Sequence, residues 1–337
     1  MKKTLITIST AFTLVFASAG FSLSAAPDWD AVDSKKVTLF YPGVASWEFL
    51  NSPDHSLGAK NIKEGKKACV KCHTSETGEY DIMADDIASG KFRMKKSGKP
   101  FEPEPIAGKK GFMEAKVQSA HDNENIYLRI EWQSKGGSFK DPALAKKGLQ
   151  DRVMVQMNKD HDYFRRYGCF IACHDDANHM PGSPTKDEVK KHPYYSALKR
   201  DTVRLYAFYT RTGGWNDLKP KAELEELSKT GLIDVWEVEI EGKDVKTEDG
   251  WILEDRRDDE KADIAAEGSW ADGKYSVVIK RKLKTEDKKD VSLEEGAIVS
   301  IAIAIHDDGT DNRRHYVSFP LQLGIGTGGD ITAKKVR

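Results

Sequence analysis

Apolar and polar residues alternate through much of the chain from Gly111 onward. Phe112-Met113-Glu114-Ala115-Lys116-Val117-Gln118 and Asn125-Ile126-Tyr127-Leu128-Arg129-Ile130-Glu131-Trp132 change character at nearly every step. A period of two turns one face of a strand to a core and the other to water. His121-Asp122-Asn123-Glu124 lies between these runs as a turn, so together they read as a β-hairpin. Residues 152–157, 203–210, 233–240, 274–282, 297–305 and 314–323 read as further strands. An earlier strand, Lys36-Val37-Thr38-Leu39-Phe40-Tyr41, is closed by Pro42-Gly43. One helix is expected over 222–229, from Glu223-Leu224-Glu225-Glu226-Leu227, with Gly231 to end it. Many short strands between Gly- and Asp-rich turns predict a mainly β chain, with an immunoglobulin-like β-sandwich over 111–337. A smaller loop and helix segment over 27–110 precedes it. Its last part, 81–110, is rich in Lys, Gly and Pro and reads as a linker. Residues 254–265 read as a charged insertion without an assigned chemistry.

The start of the chain has a different texture. Met1-Lys2-Lys3 is basic, 4–16 is apolar, and 17–26 is rich in Ala, Ser and Gly. This predicts a signal peptide over 1–26, cut between Ser24 and Ala26, and hence an exported protein. The uncharged run 4–26 is long enough to span a bilayer as an anchor, but its Ser and Thr content and small-residue end favour cleavage. Loss of Lys2 and Lys3 moves the formal charge from −1 to −3. Without a basic excess, nucleic acid is not an expected partner. Charged residues make up 32% of the chain with signs interspersed, which describes a solvated surface. The basic runs 91–99 and 280–284 offer a way to steer an acidic redox partner, although such runs are more often wet loops or strand edges.

The chemistry sits in the cysteines. Ala68-Cys69-Val70-Lys71-Cys72-His73 has the spacing of c-type haem attachment. Two thiols add across the vinyl groups of one porphyrin edge, and the adjoining histidine then reaches the iron. Gly168-Cys169-Phe170-Ile171-Ala172-Cys173-His174 repeats the order with one extra residue between the thiols. The alternatives are a zinc or redox cluster, or Cys69–Cys72 and Cys169–Cys173 disulfides. Two covalent haems account for all four cysteines.

With the strands and both motifs in place, the chain resembles the periplasmic c-type branch of the ethylbenzene dehydrogenase-related haem-binding proteins. The haem-carrying γ subunits of the ethylbenzene and dimethyl sulfide dehydrogenases belong to this group. The matching stretches are 125–132, Asp151-Arg152-Val153-Met154-Val155, 168–174, 273–283 and 302–320. The last of these includes His306-Asp307-Asp308-Gly309-Thr310 and His315-Tyr316-Val317-Ser318-Phe319-Pro320. The resemblance implies a periplasmic β-sandwich that buries a haem near one end and exchanges electrons with a partner. The γ subunits hold a b-type haem through methionine and lysine. Cys169, Cys173 and His174 depart from that pattern, so the ligand pair is not carried over, and the 69–73 motif is an added module.

His73 and His174 are therefore the expected proximal ligands. His55, upstream of the first motif beside Pro53 and Asp54, is the nearest candidate for the opposite face of that iron. For the second iron His315 ranks first, with His306, Met157 and His161 behind. His179 and Met180 follow the motif too closely to swing round to the opposite face. Two imidazoles favour a lower reduction potential than a methionine does. The expected protein is an exported dihaem c-type cytochrome that carries electrons between periplasmic or membrane-bound redox proteins. Its rivals are a dihaem oxidoreductase or a haem-based small-molecule-binding protein, each with one open iron site. Gly324-Ile325-Gly326-Thr327-Gly328-Gly329 reads as a loop, since no amphipathic helix follows it. The run 307–312 lacks the spaced acidic ligands and terminal Glu of an EF-hand, and reads as a turn.

Overall fold

The computed structural model describes residues 27–41, 50, 53–92, 106–174, 185–197, 199–201, 205–212, 217–310 and 314–336. The expected signal peptide at 1–26 lies outside these residues, as do His179 and Met180. Thirteen strands form one continuous sheet that folds over itself as a β-sandwich. They are β1 (Ser34–Phe40), β2 (Phe112–His121), β3 (Asn125–Gln133), β4 (Asp151–Asn158), β5 (Ile233–Glu241), β6 (Asp244–Ile252) and β7 (Arg256–Asp258). The rest are β8 (Ala265–Ala271), β9 (Lys274–Lys282), β10 (Ile298–His306), β11 (Tyr316–Ser318), β12 (Leu321–Ile325) and β13 (Ile331–Lys335). The strand order is β7-β6-β5-β4-β10-β11-β1-β2-β3-β9-β8. β12 and β13 make a second join, β12 pairing with β10 and β13 running parallel to both β12 and β2.

Alternation sorts the residues of each strand by face. Val153, Val155 and Met157 of β4, Ile301, Ile303 and Ile305 of β10, and Leu128 and Ile130 of β3 share the core between the layers. Burying each such side chain contributes about 1.5–3 kcal/mol. Met154 of β4, Ala302 and Ala304 of β10, and Val317 of β11 take the opposite face. There they join a second apolar cluster with Phe164, Tyr167, Cys169 and Phe170.

The expected hairpin at 112–132 is present as β2 and β3, joined at 122–124. Three features differ from the pattern-based expectation. The single strand expected over 314–323 is broken after Ser318, because Pro320 has no N–H to give a ladder, and it forms β11 and β12. Within the strand expected over 203–210, the described residues form a strand at Leu205–Tyr206 and then a tight turn, Phe208–Thr210. Finally β1, within the expected 27–110 segment, pairs along its length with β2, so that segment is tied into the sandwich. The charged insertion 254–265 contains β7, an edge strand against β6.

Candidate haem centres

The first motif is shaped by a helix, a stop and a turn. Helix α1 (Ser56–Glu64) ends at Gly65, which takes the left-handed conformation with φ 63°. A short turn, Cys69–Lys71, follows, and both Cys72 N–H and His73 N–H donate to the Cys69 carbonyl at 3.0 Å. This winds the two thiols and the histidine into one compact loop. His55 precedes α1 directly, so the helix carries it back towards the motif. The imidazoles of His55 and His73 stand 6.3 Å apart between centroids, with their planes 21° from parallel. Both line a cavity of about 300 Å³, together with Cys69, Cys72, Ile62 and Tyr167.

Each ring is held in the tautomer a metal needs. His73 Nδ1 donates to the Asp81 carbonyl at 3.0 Å, and His55 Nδ1 donates to the Leu50 carbonyl at 3.2 Å. A carbonyl only accepts, so the proton lies on Nδ1 and the lone pair on Nε2. Burial holds the His55 imidazole below its ordinary pKa, which keeps it neutral. Gly58 makes room for the ring: a Cβ there would lie 2.0 Å from His55 Cε1.

These residues fit a six-coordinate haem iron. An imidazole–metal bond of about 2.0 Å plus roughly 1.1 Å from ring nitrogen to ring centre, counted on both sides, gives about 6 Å. The observed separation agrees. The thiols argue against the alternatives. Burial pushes the Cys69 thiol up to about 12, far from a reactive thiolate. Cys69 and Cys72 are not disulfide-bonded. Among the described residues, the only close groups of three or more metal-ligating side chains are aspartates, so no zinc tetrad forms at the first motif.

The second motif packs on the outer face of the β4–β10 layer. Helix α2 (Asp162–Tyr167) leads through Gly168 into the turn Cys169–Ala172. Gly168 has φ 52°, and a Cβ there would lie 3.2 Å from Ala302 Cβ, so glycine and alanine together admit the close approach. Cys169 is buried. The backbone of Cys173–His174 pairs with Leu205–Tyr206. The side chains of Cys173 and His174 lie outside the description.

The candidates for the second distal ligand separate by position. His306 ends β10 on the face that carries Ala302 and Ala304, and it is buried. His315, half-buried, stacks on it with centroids 4.3 Å apart and planes at 13°. By the arithmetic above, that gap is too short for an iron between the two rings. His306 Nδ1 is buried without a hydrogen-bond partner, and burial, reinforced by His315, drives its pKa well down. Met157 lies in the core between the layers, on the face of β4 turned away from Cys169. His161 stacks on Tyr209 at 3.7 Å, and burial lowers it to about 4. Met154, not singled out from sequence, is the β4 methionine on the Cys169 side. The alternation of β4 carried that distinction, since Met154 is out of phase with Val153 and Val155.

The two motifs share one apolar cluster, in which Cys169 is buried and against which Cys69 and Val70 pack. Phe319 links them, 6.2 Å from the His73 ring and 5.6 Å from Phe170, the neighbour of Cys169. The 280–284 run is not a continuous basic stripe. Arg281 is fully buried against Asp234, and Lys284 pairs with Glu294 at 2.9 Å.

The chain belongs to the ethylbenzene dehydrogenase family, whose model matches residues 26–318. It is 32% identical over 337 residues to cytochrome c-552 of Stutzerimonas stutzeri, across 99% of this chain and 100% of that protein. Cytochrome c-551 of Rhodocyclus tenuis is 27% identical over 318 residues, across 92% of this chain and 100% of that protein.

Proposed function

We propose that this member of the ethylbenzene dehydrogenase family is an exported, periplasmic dihaem c-type cytochrome that relays electrons between redox proteins. The observation that carries this reading is the pair of near-parallel imidazoles, His55 and His73, 6.3 Å apart beside Cys69 and Cys72. The names of the relatives support haem c as the cofactor. Haem c supplies one-electron chemistry.

Cys69 and Cys72 would hold the first haem by thioethers, with His73 as its proximal and His55 as its distal ligand. The carbonyls of Asp81 and Leu50 orient the two rings. Ile62 and Tyr167 wall the site against water. Cys169 and Cys173 would hold the second haem, with His174 proximal. His315 would supply its other protein ligand, steadied by the stacked ring of His306. A protein ligand on each side of the iron would leave no place for a small molecule, which suits electron transfer. Phe319, between the two motifs, suits such a relay. The leader-like 1–26 segment supports export. No helix among the described residues is long and apolar enough to cross a membrane.

The test is a pyridine haemochrome spectrum with haem counted per chain after acid–acetone extraction, then spectra with carbon monoxide and cyanide. Two retained haems and unchanged spectra are expected. One retained haem removes the dihaem reading. Carbon monoxide binding to the reduced protein favours an oxidoreductase with an open site.

A further inference from the structure

At the end of the sandwich core, away from both cysteine pairs in sequence, buried carboxylates accumulate without matching cations. Asp234 on β5, Asp249 on β6 and Asp290, just before Val291, each bring one carboxylate oxygen to within 4.8 Å of the others. Asp290 also belongs to a second such group with Asp259 and Asp287. Asp234 is 0% exposed, Asp249 is 4% exposed, and the side chain of Asp290 is 4% exposed. One buried cation faces them. Arg281 donates through Nη1 to Asp234 Oδ2 at 2.5 Å and lies 3.9 Å from Asp290 Oδ2. Lys289 stands out at Asp259, 3.8 Å away.

Two further observations point to a ligand. Asp234 Oδ1 and Asp290 Oδ2 are buried and have no hydrogen-bond partner among the described residues. A buried carboxylate oxygen left unpaired costs free energy that the native fold ordinarily avoids. Carboxyl groups thus outnumber the one buried guanidinium, and Asp263 brings a further one, its N–H donating to Asp249 Oδ2 at 3.4 Å.

We propose that Asp234, Asp249 and Asp290 bind a calcium ion, with Asp259 and Asp287 as an outer acidic rim. The donor set is all oxygen, which selects a hard cation over zinc or copper. Calcium–oxygen distances of about 2.3–2.6 Å place ligand atoms on a sphere about 5 Å across, which the observed spread fits. The ion replaces the missing positive charge and takes the two orphaned oxygens as ligands. It also ties the 254–264 insertion and the 284–290 loop to the ends of β5 and β6. This gives the charged insertion a role that its sequence did not reveal.

The test uses the full-length haem-loaded protein, stripped with a chelator and titrated with calcium chloride by calorimetry. Thermal unfolding is followed with and without the ion. One calcium per chain and a melting temperature that rises with calcium are expected. Asp290→Asn should weaken binding by about tenfold or more and abolish the calcium-dependent rise. Asp287→Asn, at the rim, should weaken it less and serves if the first variant does not fold. No binding to the wild-type chain overturns the proposal. So does a metal-free Asp249→Asn variant that is more stable than wild type and gains nothing from calcium. An equal response to magnesium overturns the calcium assignment. The visible haem spectrum should stay unchanged throughout, which separates this site from the haem centres.

Discussion

Two pairs of histidines stand almost parallel in this protein, and their separations give them different meanings. His55 and His73 are 6.3 Å apart, whereas His306 and His315 are 4.3 Å apart. The first gap admits a metal between two nitrogens; the second is ring-on-ring contact. The surroundings follow suit. His55 and His73 each give the Nδ1 proton to a backbone carbonyl, but His306 Nδ1 is buried without a partner. Proximity of two imidazoles is therefore no sign of a bis-histidine iron by itself; the wider separation and the fixed tautomer are what support the proposed ligand pair.

The comparison breaks most visibly at the thiols. Cys69→Ser with Cys72→Ser should lower covalent haem from two per chain to one, read by haemochrome after extraction. An unchanged count would remove haem from the first motif. Next comes His55→Met, which should keep six-coordination but raise one reduction potential. The expected rise is on the order of 0.1 V, within the roughly 0.8 V that axial ligation spans, and redox titration would read it. Gly58→Ala probes the same ligand indirectly, because its Cβ would collide with the His55 ring. It should open the first iron to carbon monoxide while leaving His73 in place; a spectrum insensitive to the gas would contradict the assignment of His55.

Smaller effects sharpen the other side of the comparison. If His306 only stacks, His306→Phe should preserve the second haem's absorption bands and change stability by about 1 kcal/mol or less. Loss of its low-spin bands would make His306 itself the ligand. His161 supplies a pH-dependent control. Burial lowers its pKa from 6.5 to about 4, so the unfolded chain binds a proton before the folded one does. Its contribution to stability is full above about 6.5 and is lost as pH falls towards 4. His161→Phe should flatten the fall in melting temperature across that window.

Much of the architecture was legible because strand alternation is local. β2, β3, β9 and β10 could be read from their own residues, and the alternation of β4 already separated Met154 from Met157. Other elements resisted. β6, with Lys246, Glu248 and Asp249 among its residues, has one face too polar to announce a strand, and it is recognised by its pairing with β5. Arg281 looked like part of a surface run, yet it is fully buried against Asp234 from a different strand. The aspartate cluster draws on β5, β6 and the loops after β7 and β9, and no window of sequence contains it.

The sequence by itself determined the two thiol–histidine motifs on which the proposed haem attachment rests, since their spacing is fixed by a few consecutive bonds. It also determined the mainly β fold, since a two-residue period sets a face wherever the strand lies. Only the tertiary structure decided which histidine stands opposite His73, which methionine of β4 faces Cys169, and where the carboxylates converge. Those are contacts between segments far apart in the chain, set by how the layers pack and which face each loop covers.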